Sequence, residues 1–306
     1  MDAEFHDGDV VGAYQIEGVV GTGGMGLVYR ARHALSERVV ALKIQRVEQL
    51  QVSRARGRMM REATILAQLS HAGIPRFFEC GLLDDGRPWI AMELVAGTSV
   101  AQRLAQRHFE PDEVAKLIAS VAIVLASAHD CGVTHRDLKP DNIVLADDDA
   151  FPVRVLDWGI AHYQAGPRFT NHDEAIGTPT YMSPEQARGG PTAGHCDVYG
   201  LGVIAYHLLA GQPPFVNANA VEVLLMHLNR PVPALAPRCP DAPYGLVELV
   251  ERMLLKSYAQ RPTALEVHDA LVVQHAHAAT PEYHDYSVDD PTPSTERTTA
   301  PLRVRP

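Results

Sequence analysis

The sequence lacks any run of apolar residues long enough to cross a membrane. A spanning helix needs about 18 or more such residues, and the richest stretch, LIASVAIVLASAHDCG, is interrupted by Ser120 and ends in polar residues. The N-terminal residues carry Asp and Glu where a secretory signal would carry Lys or Arg. We therefore expect a cytoplasmic chain without a membrane segment.

Paired cysteines and an excess of basic charge are missing as well. The four cysteines, Cys80, Cys131, Cys196 and Cys239, include no CxxC pair, which argues against a zinc site and favours a reducing compartment. The 306 residues carry a formal net charge of -10, which argues against nucleic acid as the main partner. Small anionic ligands remain open, because local basic groups can outweigh net charge.

What is present divides into two parts of different pattern. Over residues 14–47, glycines alternate with Val- and Ile-rich runs, which predicts a twisted hairpin sheet. Residues 54–70 have the apolar spacing of a helix. Beyond residue 95 the pattern turns mostly helical. We predict an α+β chain with a small, mostly β lobe over 1–95, its core beginning at about residue 14, and a large, mostly α lobe over 96–277.

Five segments of the second part have helical patterns. One runs from Pro111 to about His129, and the others are DVYGLGVIAYHLLAG, AVEVLLMHLN, GLVELVERMLLK and TALEVHDALVVQHA. The first of these four is apolar nearly all round, which predicts a central buried helix, and Thr263 is the expected N-cap of the last. Residues 278–306 are rich in Thr, Pro and charge, so we expect a disordered tail there.

A glycine-rich segment, GTGGMGLV, lies between two strand-like stretches. Gly21, Gly23 and Gly26 would let backbone N–H groups approach an anion closely. A dinucleotide-binding loop would be followed by a helix, whereas the next residues, LVYRARH, alternate as a strand does. The pattern therefore favours a flap over phosphates, with a plain glycine-rich hairpin as the alternative.

One lysine stands in an otherwise apolar strand, VVALKI. Burying an unpaired ammonium group is costly, so Lys43 needs either an edge position or a carboxylate partner. Glu62, on the helix that follows, is the candidate partner. Such a pair would aim the Lys43 ammonium at the α- and β-phosphates of a nucleotide.

The segment THRDLKPDNIVL concentrates polar groups in a loop before an apolar run. Asp137 and Asn142 supply oxygens, Lys139 supplies positive charge, and Pro140 keeps the loop non-helical. This combination suits a hydroxyl nucleophile, a Mg²⁺ ion and a transferring phosphoryl group. Asp157, at the end of the strand-like VRVL, is a candidate metal ligand, although Asp is also common in strand-end turns.

These segments follow the order found in protein kinases. GTGGMGLV, VALK, HRDLKPDN and DWG are followed by GTPTYMSPEQ, DVYGLG and QRPT. Over roughly residues 14–272 the chain resembles bacterial eukaryotic-like (Hanks-type) serine/threonine protein kinases. The resemblance implies a bilobal protein-kinase-like fold and ATP-dependent phosphorylation of Ser and Thr in proteins, in bacterial signalling.

The resemblance also implies a role for each matched residue. Asp137 would orient the substrate hydroxyl and accept its proton, and Lys139 would stabilise charge on the moving phosphoryl group. Asn142 and Asp157 would hold Mg²⁺ or Mn²⁺. The residues implied in holding ATP are Val20, Gly21, Thr22, Gly23, Gly24, Met25, Gly26, Leu27, Val28, Ala41, Lys43 with its catalytic partner Glu62, Met92, Glu93, Val95 and Val144.

An activating phosphorylation is implied too. In this family an arginine placed as Arg136 usually pairs with a phosphate on the activation segment. Within residues 162–176, Thr170 is the one hydroxyl side chain other than Tyr163. We therefore expect autophosphorylation at Thr170, with an unmodified loop threonine as the alternative.

Three further positions follow from the resemblance. Thr178 would contact the catalytic loop where the substrate docks, and Glu185 would pair with buried Arg261. Trp158 stands where most relatives have Phe. We expect it to fill an apolar slot beside His135, with an indole N–H that needs a partner when buried.

Two other functions stay open. Small-molecule phosphotransferases of kinase-like fold usually lack a lysine placed as Lys139 and the SPE and QRPT elements, whereas a pseudokinase binding module usually loses the nucleotide lysine, the catalytic Asp or the metal Asp. Lys43, Asp137 and Asp157 are all present. The partners expected are ATP and Ser/Thr-containing proteins, and homodimerisation through the small lobe, common in relatives, remains open.

Overall fold

The chain folds into a β-rich N-terminal part and a helical C-terminal part. A computed structural model describes residues 4–23, 26–45, 63–147, 150–158, 179–190 and 192–278. The predicted α+β kinase-like fold is confirmed. The predictions that lie outside the described residues concern Gly24, Met25, residues 54–62 of the predicted helix with Glu62, Thr170, Thr178 and the tail after residue 278.

A six-stranded antiparallel sheet forms the N-terminal part, in the order β1-β2-β3-β4-β6-β5. Its strands are β1 (Val10–Val11), β2 (Tyr14–Gly23), β3 (Gly26–His33), β4 (Val39–Ile44), β5 (Phe77–Leu82) and β6 (Pro88–Glu93). The pairing of β2 with β3 shifts register twice, between Ile16 and Gly18 and between Val19 and Gly21. Such bulges increase local twist, which explains the curled hairpin that the glycine spacing predicts.

The two faces of this sheet differ because side chains alternate along a strand. Tyr29, Leu42 and Ile16 are fully buried in the core on one face. Lys43, next to Leu42, points to the other face, where its cross-strand neighbours are Val28 on β3 and Ile90 on β6. The strand alternation therefore keeps the Lys43 side chain out of this core and on the face that meets the C-terminal part.

The core of the small lobe also takes in residues before Tyr14. Val11 is 1% exposed and Phe5 packs edge-on against Tyr29, with ring centroids 5.8 Å apart. Glu4 pairs with the buried guanidinium of Arg87. These contacts extend the lobe beyond the start at about residue 14 that the pattern indicates.

The C-terminal part is built mainly of helices. They are α2 (Val100–Gln106), α3 (Pro111–Asp130), α4 (Pro184–Ala187), α5 (Gly194–Ala210), α6 (Ala220–Asn229), α7 (Tyr244–Met253) and α8 (Ala264–Ala278), and residues 63–68, called α1, are helical as well. Helix α5 is buried along most of its length and packs against α3 and α7, as its all-round apolar pattern predicts. Within the described residues, no helix combines the length and apolarity that a membrane span requires.

Helix ends follow their local signals. Pro111 occupies the first turn of α3, a position where its missing N–H costs nothing. At α8, the N–H of Glu266 donates to Thr263 Oγ1 at 3.2 Å, and the N–H of Thr263 donates to Glu266 Oε2 at 2.7 Å. This reciprocal capping box confirms Thr263 as the N-cap.

A small three-stranded sheet carries the segments that matter for function. It consists of β7 (Gly97–Ser99), β8 (Ile143–Ala146) and β9 (Val153–Val155). A Cβ atom on Gly97 would lie 2.0 Å from the carbonyl oxygen of Leu145, so this close pairing requires glycine. The loop before β8 and the turn after β9 are thereby held side by side.

Candidate active site

The loop between α3 and β8 brings three predicted residues together. Lys139 Nζ lies 3.0 Å from Asp137 Oδ2, and each side chain is about one third exposed. Asn142 Nδ2 donates to the Asp137 carbonyl at 2.8 Å, because the 3₁₀ turn Pro140–Asn142 folds the amide back onto the loop. The Asp137 carboxylate is therefore oriented yet accessible.

A buried carboxylate on α5 supports this loop from beneath. Asp197 is 1% exposed and accepts the backbone N–H groups of His135 and Arg136, each at 2.8 Å. His129 Nε2 is a third partner at 2.8 Å. Burial alone would raise the pKa of Asp197, but the hydrogen bond and charge of His129 outweigh it and keep the pKa below its ordinary value.

The support matters because the loop is strained. Arg136 has a φ of +67°, in the left-handed region that non-glycine residues seldom adopt. The Asp197 carboxylate binds its N–H and so stabilises that conformation. Sequence reasoning missed this role, although a lone Asp within the otherwise apolar helix α5 is a usable signal, since Asp is rarely buried without partners.

Asp157 follows β9 and reaches the other lobe. Its Oδ1 lies 2.9 Å from Lys43 Nζ, and the Lys43 side chain is 6% exposed while that of Asp157 is about half exposed. Burial would raise the pKa of Asp157, but the charge and hydrogen bond of Lys43 hold it below its ordinary range. The φ of Asp157 is +51°, so a second left-handed residue lies at the site. The Lys43–Glu62 pair stays a prediction.

Trp158 and His135 pack together beside Asp157. Their ring centroids are 5.0 Å apart, and Trp158 is 1% exposed. The indole N–H donates to the Val155 carbonyl at 3.0 Å, which supplies the partner that a buried Trp requires. His135 Nε2 lies 2.8 Å from the Leu156 carbonyl, so the expected link between the catalytic loop and Trp158 is confirmed.

The described residues implied in ATP binding lie on β2, β3, β4 and β6 of the small-lobe sheet, just after β6, and on β8. Val28 pairs with Lys43, and Ala41 pairs with Met92. Val144 on β8 is 8% exposed. The other described members are Val20, Gly21, Thr22 and Gly23 on β2, Gly26 and Leu27 on β3, Glu93 at the end of β6, and Val95 just after it.

Two of these residues also serve the packing of the small lobe. Leu27 packs into the core on the opposite face, because neighbours in a strand point to opposite sides, so only its backbone can meet a ligand on the cleft face. A Cβ atom on Gly26 would lie 2.2 Å from the Ile44 carbonyl oxygen. Close packing of β3 on β4 therefore requires glycine there, whatever contact it makes with phosphate.

Glu93, one of the residues implied in ATP binding, is held by two hydrogen bonds and one ion pair. The Glu93 carboxylate accepts the Arg76 N–H at 3.0 Å and lies 3.6 Å from Arg154 Nε. The Glu93 N–H donates to the Arg76 carbonyl at 2.8 Å. The segment joining the lobes is thus anchored to both, and ATP binding by Glu93 and Val95 stays a prediction.

The ion pair expected between Glu185 and Arg261 is confirmed. The guanidinium binds both carboxylate oxygens, at 2.6 and 2.9 Å, and the Arg261 side chain has no exposed surface. Burial would raise the pKa of Glu185, but the hydrogen bond and charge of Arg261 outweigh it, so the pKa lies below its ordinary value. Next to this pair, Gln186 Nε2 donates to the Arg136 carbonyl at 2.7 Å.

Comparison with known proteins places the chain in a family. Residues 14–273 match the family model described as protein kinase domain. The chain is 38% identical over 266 residues to the serine/threonine-protein kinase pkn3 of Myxococcus xanthus, covering 84% of this chain and 49% of that protein. It is 34% identical over 254 residues to PrkC of Bacillus subtilis, covering 83% and 38%.

A solved structure agrees with these relatives. The kinase domain of PknI from Mycobacterium tuberculosis superposes with a TM-score of 0.71 at 28% identity, covering 88% of this chain and 99% of that one. This chain therefore belongs to the protein kinase family. Within it, the chain is a bacterial Hanks-type serine/threonine kinase domain, and it spans half or less of the length of the curated relatives named here.

Proposed function

We propose that this chain transfers the γ-phosphoryl group of ATP to Ser and Thr hydroxyls of proteins in bacterial signalling. The observation that carries the proposal is the meeting of two charged pairs, Lys43 with Asp157 at 2.9 Å and Lys139 with Asp137 at 3.0 Å. Lys139 also acts electrostatically on Asp157. A cation for the nucleotide, a metal-binding carboxylate and a base thus share one cleft.

Each residue has one task in this proposal. The Asp137 carboxylate orients the substrate hydroxyl and accepts its proton, which general-base geometry requires to occur within hydrogen-bond reach. Lys139 stays beside it and stabilises negative charge on the phosphoryl oxygens. Lys43 holds the nucleotide phosphates, and Asp197 keeps the strained loop in place from below.

The family implies ATP and a divalent metal ion, and we propose that the ion is Mg²⁺. The donor set fits a hard cation, because Asp157 offers a half-exposed carboxylate. The Nδ2 amide group of Asn142 donates a hydrogen bond to the Asp137 carbonyl, which leaves the Asn142 Oδ1 as an acceptor. Mg²⁺ prefers such oxygen ligands, and when bound it neutralises phosphate charge. Mn²⁺ has the same preference and is the substitute to try.

Autophosphorylation at Thr170 is part of the proposal. Its support is the family role of an arginine placed as Arg136. Arg136 lines a cavity together with Tyr181 and Met182, from the end of the activation segment. A phosphate on the segment would add charge-assisted hydrogen bonds to this arginine. Phosphopeptide mapping of active protein tests autophosphorylation at Thr170, and an unmodified Thr170 would contradict it.

The remaining proposals concern partners and location. Protein substrates, rather than nucleic acid, suit the net charge of -10. A reducing, cytoplasmic location suits the four cysteines, all free of disulfides. Homodimerisation through the small lobe is testable by sedimentation of the purified chain.

The direct test is incubation with γ-labelled ATP and Mg²⁺ or Mn²⁺. A generic basic protein and a panel of aminoglycosides are offered in parallel, and labelled residues are mapped. We expect label on Ser and Thr of protein and none on the aminoglycosides. Label on the small molecules alone would favour a small-molecule phosphotransferase, and no transfer at all would favour a pseudokinase.

A further inference from the structure

A buried histidine on α6 contacts the segment that precedes α4. His227 has no exposed surface, and its Nε2 lies 3.0 Å from the carbonyl oxygen of Thr180. Thr180 belongs to the 3₁₀ turn Pro179–Tyr181, and Tyr181 lines the same cavity as Asp137. A helix outside the catalytic loop thereby holds the backbone of a segment that borders it.

The hydrogen bonds around His227 run in one direction. Lys256 Nζ lies 3.3 Å from the Tyr199 hydroxyl and can only donate to it. The Tyr199 hydroxyl lies 3.0 Å from His227 Nδ1. Because the Thr180 carbonyl can only accept, His227 Nε2 must carry the proton and Nδ1 must accept from Tyr199. The chain of donors therefore ends on the Thr180 carbonyl.

The ring is held in this state by its surroundings. Burial, with a smaller contribution from the charge of Lys256, lowers the pKa of His227 to about 4. Lys256 also donates to the His227 carbonyl at 2.7 Å, and Phe215 packs edge-on with its ring centroid 5.0 Å away. At neutral pH the imidazole is uncharged, and one tautomer satisfies its partners.

Other contacts hold the same segment through Tyr181 and not through the Thr180 carbonyl. The Tyr181 hydroxyl lies 3.0 Å from His207 Nδ1 on α5. A Cβ atom on Gly200 would come within 3.3 Å of the Tyr181 carbonyl oxygen, so the segment lies directly on α5. The His227 contact is to backbone, so it sets the path of the segment independently of the Thr180 side chain.

We propose that His227 is a positioning residue for the docking of the protein substrate, acting through the Thr180 carbonyl. The inference rests on the proposed kinase function, because a docking segment has this role only if a protein is phosphorylated. ATP is assigned to Lys43 and Asp157, neither of which lines the cavity that Tyr181 shares with Asp137. Loss of the His227 hydrogen bond should therefore raise the KM for the protein substrate and leave the KM for ATP nearly unchanged.

The kinetic test compares His227→Phe with His227→Gln, because Phe keeps the ring but has no donor, whereas Gln Nε2 can donate to the carbonyl. We expect His227→Phe to raise the KM for a peptide substrate by about fivefold to tenfold, the value of one hydrogen bond. The KM for ATP should change by less than about twofold, and Gln should restore most of the loss.

The matched control is His268→Phe. His268, on α8, is partly buried, and its Nδ1 lies 2.9 Å from the backbone carbonyl oxygen of Ala119 on α3. The His268→Phe variant should leave the KM for the peptide substrate unchanged. An unchanged peptide KM in His227→Phe, or equal changes in both KM values, would overturn the proposal.

A spectroscopic test uses the wild-type chain and needs no phosphoryl transfer. The ¹⁵N chemical shifts of the His227 ring should show a protonated Nε2 and an unprotonated Nδ1 at pH 7. They should not titrate near the ordinary pKa of about 6.5. A protonated Nδ1 or ordinary titration would overturn the positioning role, even if kinase activity is established. Conversely, the expected tautomer in an inactive chain would contradict the kinase function and leave the buried contact intact.

Discussion

At the scale of single residues, Trp158 combines packing with a hydrogen bond. Its indole N–H donates to the Val155 carbonyl at 3.0 Å, and its ring lies 5.0 Å from that of His135. Phenylalanine could keep the aromatic contact but not the hydrogen bond. The indole therefore stabilises the turn that carries Asp157 without touching the reacting groups.

We predict that Trp158→Phe stays active. ATP turnover should remain within about threefold of wild type, while the free energy of unfolding falls by about 1–2 kcal/mol from the lost hydrogen bond and the smaller ring. Denaturant unfolding and ATP turnover measure the two effects. A folded variant without turnover would show that the site is tuned specifically for Trp.

Asp157 itself shows what residue types can and cannot reveal. Its place after a strand and before Trp158 indicates a metal ligand once the order of motifs is seen. Its contact with Lys43 joins residues 114 positions apart. A pattern that extends over only a few residues cannot predict a contact between residues so far apart in sequence. Leu27 shows the reverse case, where a contiguous motif includes a side chain that strand alternation turns into the core.

At the scale of elements, the ion pair between Glu185 and Arg261 ties α4 to the loop before α8. The two terminal guanidinium nitrogens, Nη1 and Nη2, bind the carboxylate, and the arginine side chain has no exposed surface. Removing one member of a buried pair leaves a charge without compensation. The pair therefore fixes the far end of the segment that His227 holds at Thr180.

Glu185→Gln should destabilise the fold by about 3 kcal/mol at pH 7. The pKa of Glu185 in the folded chain lies below its ordinary value of 4.5, so the pair contributes fully above that pH. The contribution is lost as the pH falls through the folded-state pKa. The stability difference between wild type and variant should thus shrink in denaturant titrations below about pH 4.5, and a difference independent of pH would contradict the charge pairing.

Local signals predict the elements well. Helices α3, α5, α6, α7 and α8 lie where apolar periodicity and caps indicate them, because those signals act over a few residues. The anchoring of the catalytic loop was not predictable in this way. Asp197 is 62 positions from His135, and His227 is 47 from Thr180, so packing of distant helices creates both contacts.

At the scale of the whole molecule, the proposed function depends on a cleft between two lobes. The small lobe contributes Lys43 from β4, and the large lobe contributes Asp157 after β9 and Asp137 before β8. The ion pair between Lys43 and Asp157 brings the two sides together. Phosphoryl transfer should fail if the base is removed, even when the lobes and the ion pair remain.

The most direct measurement is transfer from γ-labelled ATP to a protein substrate by wild type and by Asp137→Asn. Asparagine keeps the size of the side chain and removes the base. Transfer should fall by at least about 100-fold, with the thermal unfolding midpoint and ATP binding of the variant close to wild type. Unchanged transfer by folded Asp137→Asn would contradict the assignment of Asp137 as the base and with it the proposed mechanism.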